Sequence, residues 1–263
     1  MQQPAYQSVQ QPARQWILLR GLTRESAHWG EFADRFQQAL PGDKMLALDL
    51  PGNGQLNNVP SLLSVPDMVQ ACRRAMVERA IAPPYHLLAM SLGAMVAAEW
   101  ARIVPGEVAG CVLINTSMRP FSPFYHRLQW RNLLPLLQLA LRWRSADAAE
   151  RIVLRITSNR AQQQSAVIAP WVAVRRQRPV SAPNALRQLL AAARYRASVA
   201  APTAPTLLLG SQQDQLVSSR CSQAIAKAWD RPLHMHPLAG HDLPLDDPQW
   251  VIDQVLRWVA EPR

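Results

Sequence analysis

The stretch "YHLLAMSLGAMVAAEWA", residues 85–101, sets an apolar run against an alanine-rich pattern with one serine between them. "HLLAM" reads as a short buried strand, and "LGAMVAAEWARIV" carries apolar residues at helical spacing, so Ser91 falls where a strand turns into a helix. A turn that sharp crowds the backbone and demands small residues two before and two after the serine, where Ala89 and Gly93 stand. The Ser91 hydroxyl is then expected at the carboxyl edge of a sheet, above a helix N-terminus. A serine taken alone is more often a surface hydroxyl or a helix cap, so the reading depends on what the rest of the chain brings nearby.

Outward from this corner, short apolar runs alternate with helical patterns. "WILLR", a helix around 26–39, "KMLALDL", a helix around 65–81 and "YHLLAM" precede it; "VAGCVLINT" follows the elbow helix. That rhythm predicts βαβ units and a mostly parallel, doubly wound sheet with helices on both faces. It stops at Met118. Residues 118–200 hold helical patterns rich in Leu, Ala, Trp and Arg, broken by prolines, with no convincing strand. It resumes with "APTLLLGSQQDQLV", a helix near 219–229, "PLHMHPL" and a closing helix at about 247–260. The expected organisation is a sheet domain over 14–117 and 201–263, interrupted by an all-helical cap over 118–200, a connection far longer than an ordinary loop. Residues 1–13, rich in Gln and Pro, cannot build a core and are expected to form a tail.

Length and composition limit the alternatives. A chain of 263 residues suits one α/β domain with an insertion. Although 49% of it is hydrophobic, its richest stretch, Leu133 to Trp143, is broken by Pro135, Gln138 and Arg142, so no transmembrane segment is expected. Cys72, Cys111 and Cys221 are odd in number and widely spaced, matching neither a disulfide framework nor a zinc pattern. They are expected as buried packing residues in a reducing cytoplasm.

In an open parallel sheet, ligands bind beyond the carboxyl ends of the strands. The polar residues expected there include Ser91, Asp214 after "PTLLLGSQQ" and His241 after "HMHPLAG", in that chain order. A serine hydroxyl is a weak nucleophile at neutral pH and needs a base within hydrogen-bond reach. His241 would supply it, and Asp214 would fix the imidazole tautomer and stabilise the imidazolium. Backbone N–H groups of Leu22, after the tight turn at Gly21, and of Leu92 would receive a developing oxyanion. Asp242 and Asp246 read as structural neighbours of the histidine, and His86 and His234 as packed residues. His28 lies close enough to Gly21 in sequence to contact a substrate. No Gly-rich phosphate loop and no metal-ligand spacing is found, so no cofactor and no metal is implied.

These motifs, "LLRGL", "LDLPGNG", "AMSLG", "GSQQDQLV" and "AGHDLPLDDP", resemble those of the α/β-hydrolase superfamily in their family order, from about residue 15 to the C-terminus. The resemblance implies an α/β-hydrolase fold with a helical cap and a serine hydrolase acting on a carboxylic ester or thioester. Two positions depart from the usual pattern: Arg20 precedes Gly21 where histidine is usual, and Ala89 replaces the first elbow glycine. The chain is similar to capped bacterial carboxylesterases, including the pimeloyl-acyl-carrier-protein methyl ester esterases, in which basic cap residues meet the carrier.

Charge is uneven. The net charge of +10 arises in the cap, where 14 arginines face two acids between Arg119 and Arg196. Such a surface is either simply solvated or steers an anionic partner: an acidic acyl carrier protein, an anionic ester or a phospholipid surface. Nucleic acid is not expected, because the basic residues lack aromatic interleaving or a binding motif. Trp130 and Trp143, with Trp171, would line an acyl pocket or form cap core. The same Ser-His-Asp set would also suit C–C hydrolysis, perhydrolysis or lipase chemistry, and a non-catalytic binding module on this scaffold is the remaining alternative.

Overall fold

The computed structural model describes residues 13–261, so the tail expected at 1–13 lies outside the described residues except for Ala13. Six strands form one sheet: β1 (Gln15–Leu19), β2 (Lys44–Leu48), β3 (Tyr85–Met90), β4 (Val108–Ile114), β5 (Thr206–Ser211) and β6 (Leu233–His236). Their order is β2-β1-β3-β4-β5-β6, and every pairing is parallel. The order reverses between β1 and β3. Strands leaving in opposite directions open a crevice at their carboxyl ends there, and Gly21 and Ser91 follow those two strands.

Alternation along the strands divides the core in two. Ile17, Leu19, Leu87, Ala89 and Leu113 point to one face, beneath α2 (Val65–Glu78), α3 (Leu92–Ile103) and α9 (Arg220–Trp229). Trp16, Leu18, Leu88, Met90 and Leu209 point to the other, under α1 (Glu31–Ala39) and α11 (Pro248–Ala260). With both faces covered, a strand must be apolar throughout, which is why β5 is buried at all six positions. The helix expected at 26–39 is split at Gly30, whose φ of 50° interrupts it, into a short turn at Ser26–Trp29 and α1. The helix expected to reach 81 ends at Glu78. Its start is set by Ser64, whose side chain accepts from the Asp67 N–H at 3.2 Å.

Between β4 and β5 the chain forms α4 (Phe124–Arg127), α5 (Leu133–Leu141), α6 (Ala146–Thr157), α7 (Ile168–Gln177) and α8 (Ala182–Arg194). This segment leaves and returns at one place, where the Ala197 N–H donates to the Arg119 carbonyl at 2.6 Å. A short helix, α10 (Leu243–Asp246), follows His241. Among the described residues, no helix is long and apolar enough to cross a membrane.

Candidate active site

The corner at Ser91 is a strained one. Its φ of 55° and ψ of −116° lie in a region that side-chain-bearing residues rarely adopt. The strain is held from both sides: the Ser91 N–H donates to the Ile114 carbonyl at 3.0 Å, and Thr116 Oγ1 donates to the Ser91 carbonyl at 3.0 Å. Gly93 is small for a specific reason. A Cβ there would lie 2.5 Å from the Leu19 carbonyl oxygen and 2.6 Å from that of Arg20, so the first turn of α3 is pressed against the end of β1. Gly21 follows that end, and a Cβ on it would approach Ser91 Cβ to 3.1 Å. The loop after β1 therefore passes directly beside the serine.

Asp214 and His241, both buried, meet at the same rim. His241 Nδ1 lies 2.7 Å from Asp214 Oδ2, while Asp214 Oδ1 accepts from the N–H groups of Leu216 and Val217 at 2.8 and 2.9 Å. With a carboxylate facing Nδ1, that nitrogen carries the proton and Nε2 is left as the basic one. Asn115 fixes the histidine loop to the serine corner: its side-chain N–H donates to the His241 carbonyl at 2.8 Å and to Ser211 Oγ at 3.0 Å. Residues 114–116 thus hold Ser91 through backbone and Thr116, and His241 through Asn115. The Ser91 hydroxyl itself makes no hydrogen bond to a described residue.

The site's supports are charged. Arg20 forms a two-pronged pair with Asp242, at 2.6 and 3.1 Å, and lies over the Trp29 ring at 4.9 Å. Burial works against the Asp242 charge, but Arg20 beside it keeps the carboxyl below its ordinary range. Arg20 thus anchors the loop after β1 to the residue following His241. Asp246 ties that histidine loop to the inserted helices, accepting from Gly240 N–H at 2.7 Å, Ser158 Oγ at 2.5 Å and Asn159 N–H at 3.0 Å. Gln188 of α8 is fully buried and accepts from the Thr23 N–H at 2.8 Å, next to Leu22. Leu92 is buried and Leu22 half-buried; neither N–H donates to a backbone carbonyl among the described residues.

His28 is buried in a network with Arg24, Glu150, Arg175 and Trp171; its Nδ1 accepts from the Glu25 N–H, and Arg24 lies 3.1 Å from Nε2. Burial, then Arg24 and Arg20, push its pKa well down, so it is neutral. Trp130 is 80% exposed. Trp143 is half-buried, gives its indole N–H to the Val180 carbonyl and has Arg175 over its face at 4.4 Å. Trp171 is buried, with Arg24 at 4.1 Å over its ring. His86 packs on Trp16, with ring centres 5.0 Å apart, whereas His234, expected to be packed, is exposed on the edge strand β6. The three cysteines are free and buried, and burial pushes the Cys72 and Cys111 thiols up to about 12. Among the described residues, no group of three or more His, Cys, Asp or Glu side chains could hold a metal ion.

A model of the alpha/beta hydrolase family matches residues 16–254. The chain belongs to that family. This alpha/beta hydrolase is 27% identical over 204 residues to a pimeloyl-[acyl-carrier protein] methyl ester esterase of Xylella fastidiosa, covering 75% of this chain and 76% of the relative. Its fold is similar to a thermophilic esterase from Thermogutta terrifontis, with a TM-score of 0.72 at 20% identity, covering 94% of this chain and 89% of the other. A Rhodococcus esterase, RhEst1, gives 0.73 at 17% identity, with 95% and 91% covered. At those identities the two structures establish the fold of the hydrolase and nothing finer.

Sequence reasoning missed Asn115, Thr116 and Gln188. The rule that located Ser91, Asp214 and His241, a polar residue just past a strand, applies equally to "INT" after β4 and would have found the first two. Gln188 lies within an ordinary helical pattern and carries no such signal.

Proposed function

We propose that this hydrolase cleaves a carboxylic ester or thioester by acyl transfer to Ser91. His241 Nε2 takes the serine proton as Oγ attacks the acyl carbon. The oxyanion is received by the Leu22 and Leu92 N–H groups, a contribution of roughly 3 kcal/mol per donor in comparable sites. The proton then passes to the leaving alkoxide or thiolate. Water, activated by the same imidazole, attacks the acyl-enzyme and restores Ser91, with Asp214 stabilising the imidazolium in both halves.

The observation that carries this reading is the Asp214–His241 hydrogen bond at the rim where residues 114–116 also hold the strained Ser91 corner. A fluorophosphonate probe tests it. Wild type should be labelled and Ser91→Ala should not; an unlabelled wild type would favour a binding role on a hydrolase scaffold.

The relative in Xylella supports a second, narrower reading, in which the ester is borne by an acyl carrier protein. Exposed arginines of α7 and α8, Arg176, Arg187 and Arg194, offer charge for an acidic carrier. Under this reading, Arg187→Glu with Arg194→Glu lowers kcat/KM for a carrier-borne methyl ester at least tenfold and leaves p-nitrophenyl acetate unchanged. Equal loss on both substrates would count against it.

A further inference from the structure

The helix α5 reads "LLPLLQLAL", and none of its nine residues is buried. Leu133, Leu134, Leu137 and Leu141 are 57–78% exposed, and Trp130 precedes them on the surface. Single exposed leucines are ordinary, but a helix apolar all round belongs in a core or in lipid. At nine residues α5 is too short to span a bilayer.

Its surroundings identify what covers it. Arg131 precedes the helix, Arg142 and Arg144 follow it, all three exposed, and Arg155 of α6 donates to Gln138 at 3.1 Å. No acidic residue occurs between Arg119 and Ala146. An acidic carrier protein would satisfy those arginines and leave the leucines in water. A second copy of the chain would cover the leucines and set the arginines against like charge. Only a lipid surface with anionic headgroups meets both, and leucine, tryptophan and arginine are the residues that such an interface selects.

We propose that α5 and its arginine rim dock this chain on a bilayer rich in anionic phospholipid. The segment before α5 is bonded to the loop of Asp214: Gln129 donates to the Asp214 carbonyl at 2.7 Å, and Asn132 to that of Gln215 at 2.6 Å. Docking therefore brings that loop to the lipid surface, where apolar acyl chains concentrate. The inference holds whether or not Ser91 is a nucleophile.

The test is sedimentation of the full chain with vesicles of phosphatidylglycerol and phosphatidylcholine, against phosphatidylcholine alone. Wild type should partition onto the anionic vesicles, less so as salt rises. Each arginine near such a surface is worth about fivefold in partitioning. Arg142→Glu with Arg144→Glu should therefore weaken binding more than tenfold, as should Leu134→Asp with Leu137→Asp and Leu141→Asp. Unchanged circular dichroism and short-ester turnover check that the variants are folded. Should the leucine variant misfold, quenching of wild-type fluorescence by brominated lipid, diminished in Trp130→Phe, supplies the same answer. Wild type that ignores anionic vesicles, or leucine variants that bind them undiminished, would overturn the proposal. So would a concentration-dependent dimer that the leucine changes abolish, or capture of acidic acyl carrier protein through α5 in place of lipid.

Discussion

Replacing Arg20 with methionine is the sharpest test of how the site is supported, because it removes a cation and keeps most of the stem. Asp242 is then left with a carboxylate that is 4% exposed and has lost contacts of 2.6 and 3.1 Å. Breaking a buried ion pair from one side costs about 3–5 kcal/mol, and the lost stacking on Trp29 adds about 0.5–1 kcal/mol. Against a total stability of about 5–15 kcal/mol, a loss of about 4 kcal/mol is large, equivalent to roughly 10 °C in Tm. In wild type the folded Asp242 pKa lies below its ordinary 3.8. Its contribution is therefore complete above that value and is lost as pH falls through the folded pKa. Without Arg20 the expected sign reverses: burial, the largest influence, outweighs the lesser pull of Arg24 and His241 and raises the folded pKa, the folded state holds the proton more tightly, and the variant loses stability as pH rises above about 4. Urea unfolding should show the gap between wild type and Arg20→Met narrowing from pH 7 to pH 5. Arg20→Met with Asp242→Asn, which neutralises the orphaned charge, should recover about 2 kcal/mol at pH 7. Equal stability of single and double variants, or a gap independent of pH, would refute the account.

Three other outcomes follow from the same geometry. Asp214→Asn retains an oxygen for the Leu216 and Val217 N–H groups but offers His241 the wrong partner, so kcat should fall about 10⁴-fold with little change in Tm, measured by ester turnover and calorimetry. Gly93→Ala forces a methyl to within 2.5 Å of the Leu19 carbonyl; separation of α3 from β1 should lower stability by about 1–3 kcal/mol, read by thermal melting, and displace Ser91 enough to reduce turnover. Cys72 and Cys111, with thiols pushed up to about 12, should resist iodoacetamide at pH 8 in the native chain and react in urea, as mass spectrometry would show.

Much of this was legible in the chain because it depends on local chemistry. Periodicity of two in "WILL" and "HLLAM" puts alternate residues on opposite sheet faces, and those are the residues that divide between the two cores. Ala89 and Gly93 mark the serine corner because sterics at a strand-to-helix turn leave no room for larger side chains. Asp214 and His241 were visible as polar residues set just past apolar runs.

Contacts between distant segments carry no such local signature. Arg20 and Asp242 are 222 residues apart, and only folding shows that the guanidinium reaches across the rim to brace the loop of His241. Nothing in the chain showed that His28, which follows the turn at Gly21, would be buried beside Arg24 and Trp171. "LLPLLQLAL" reads the same whether it lies inside the helices between β4 and β5 or upon them, since apolarity records a preference for leaving water and not the partner that satisfies it. Sequence determined the strands, the corner and the polar residues set just past the strands, through backbone sterics and periodic burial. Tertiary structure decided which charges meet and which apolar face is left open, because pairing and exposure are properties of neighbours brought together in space.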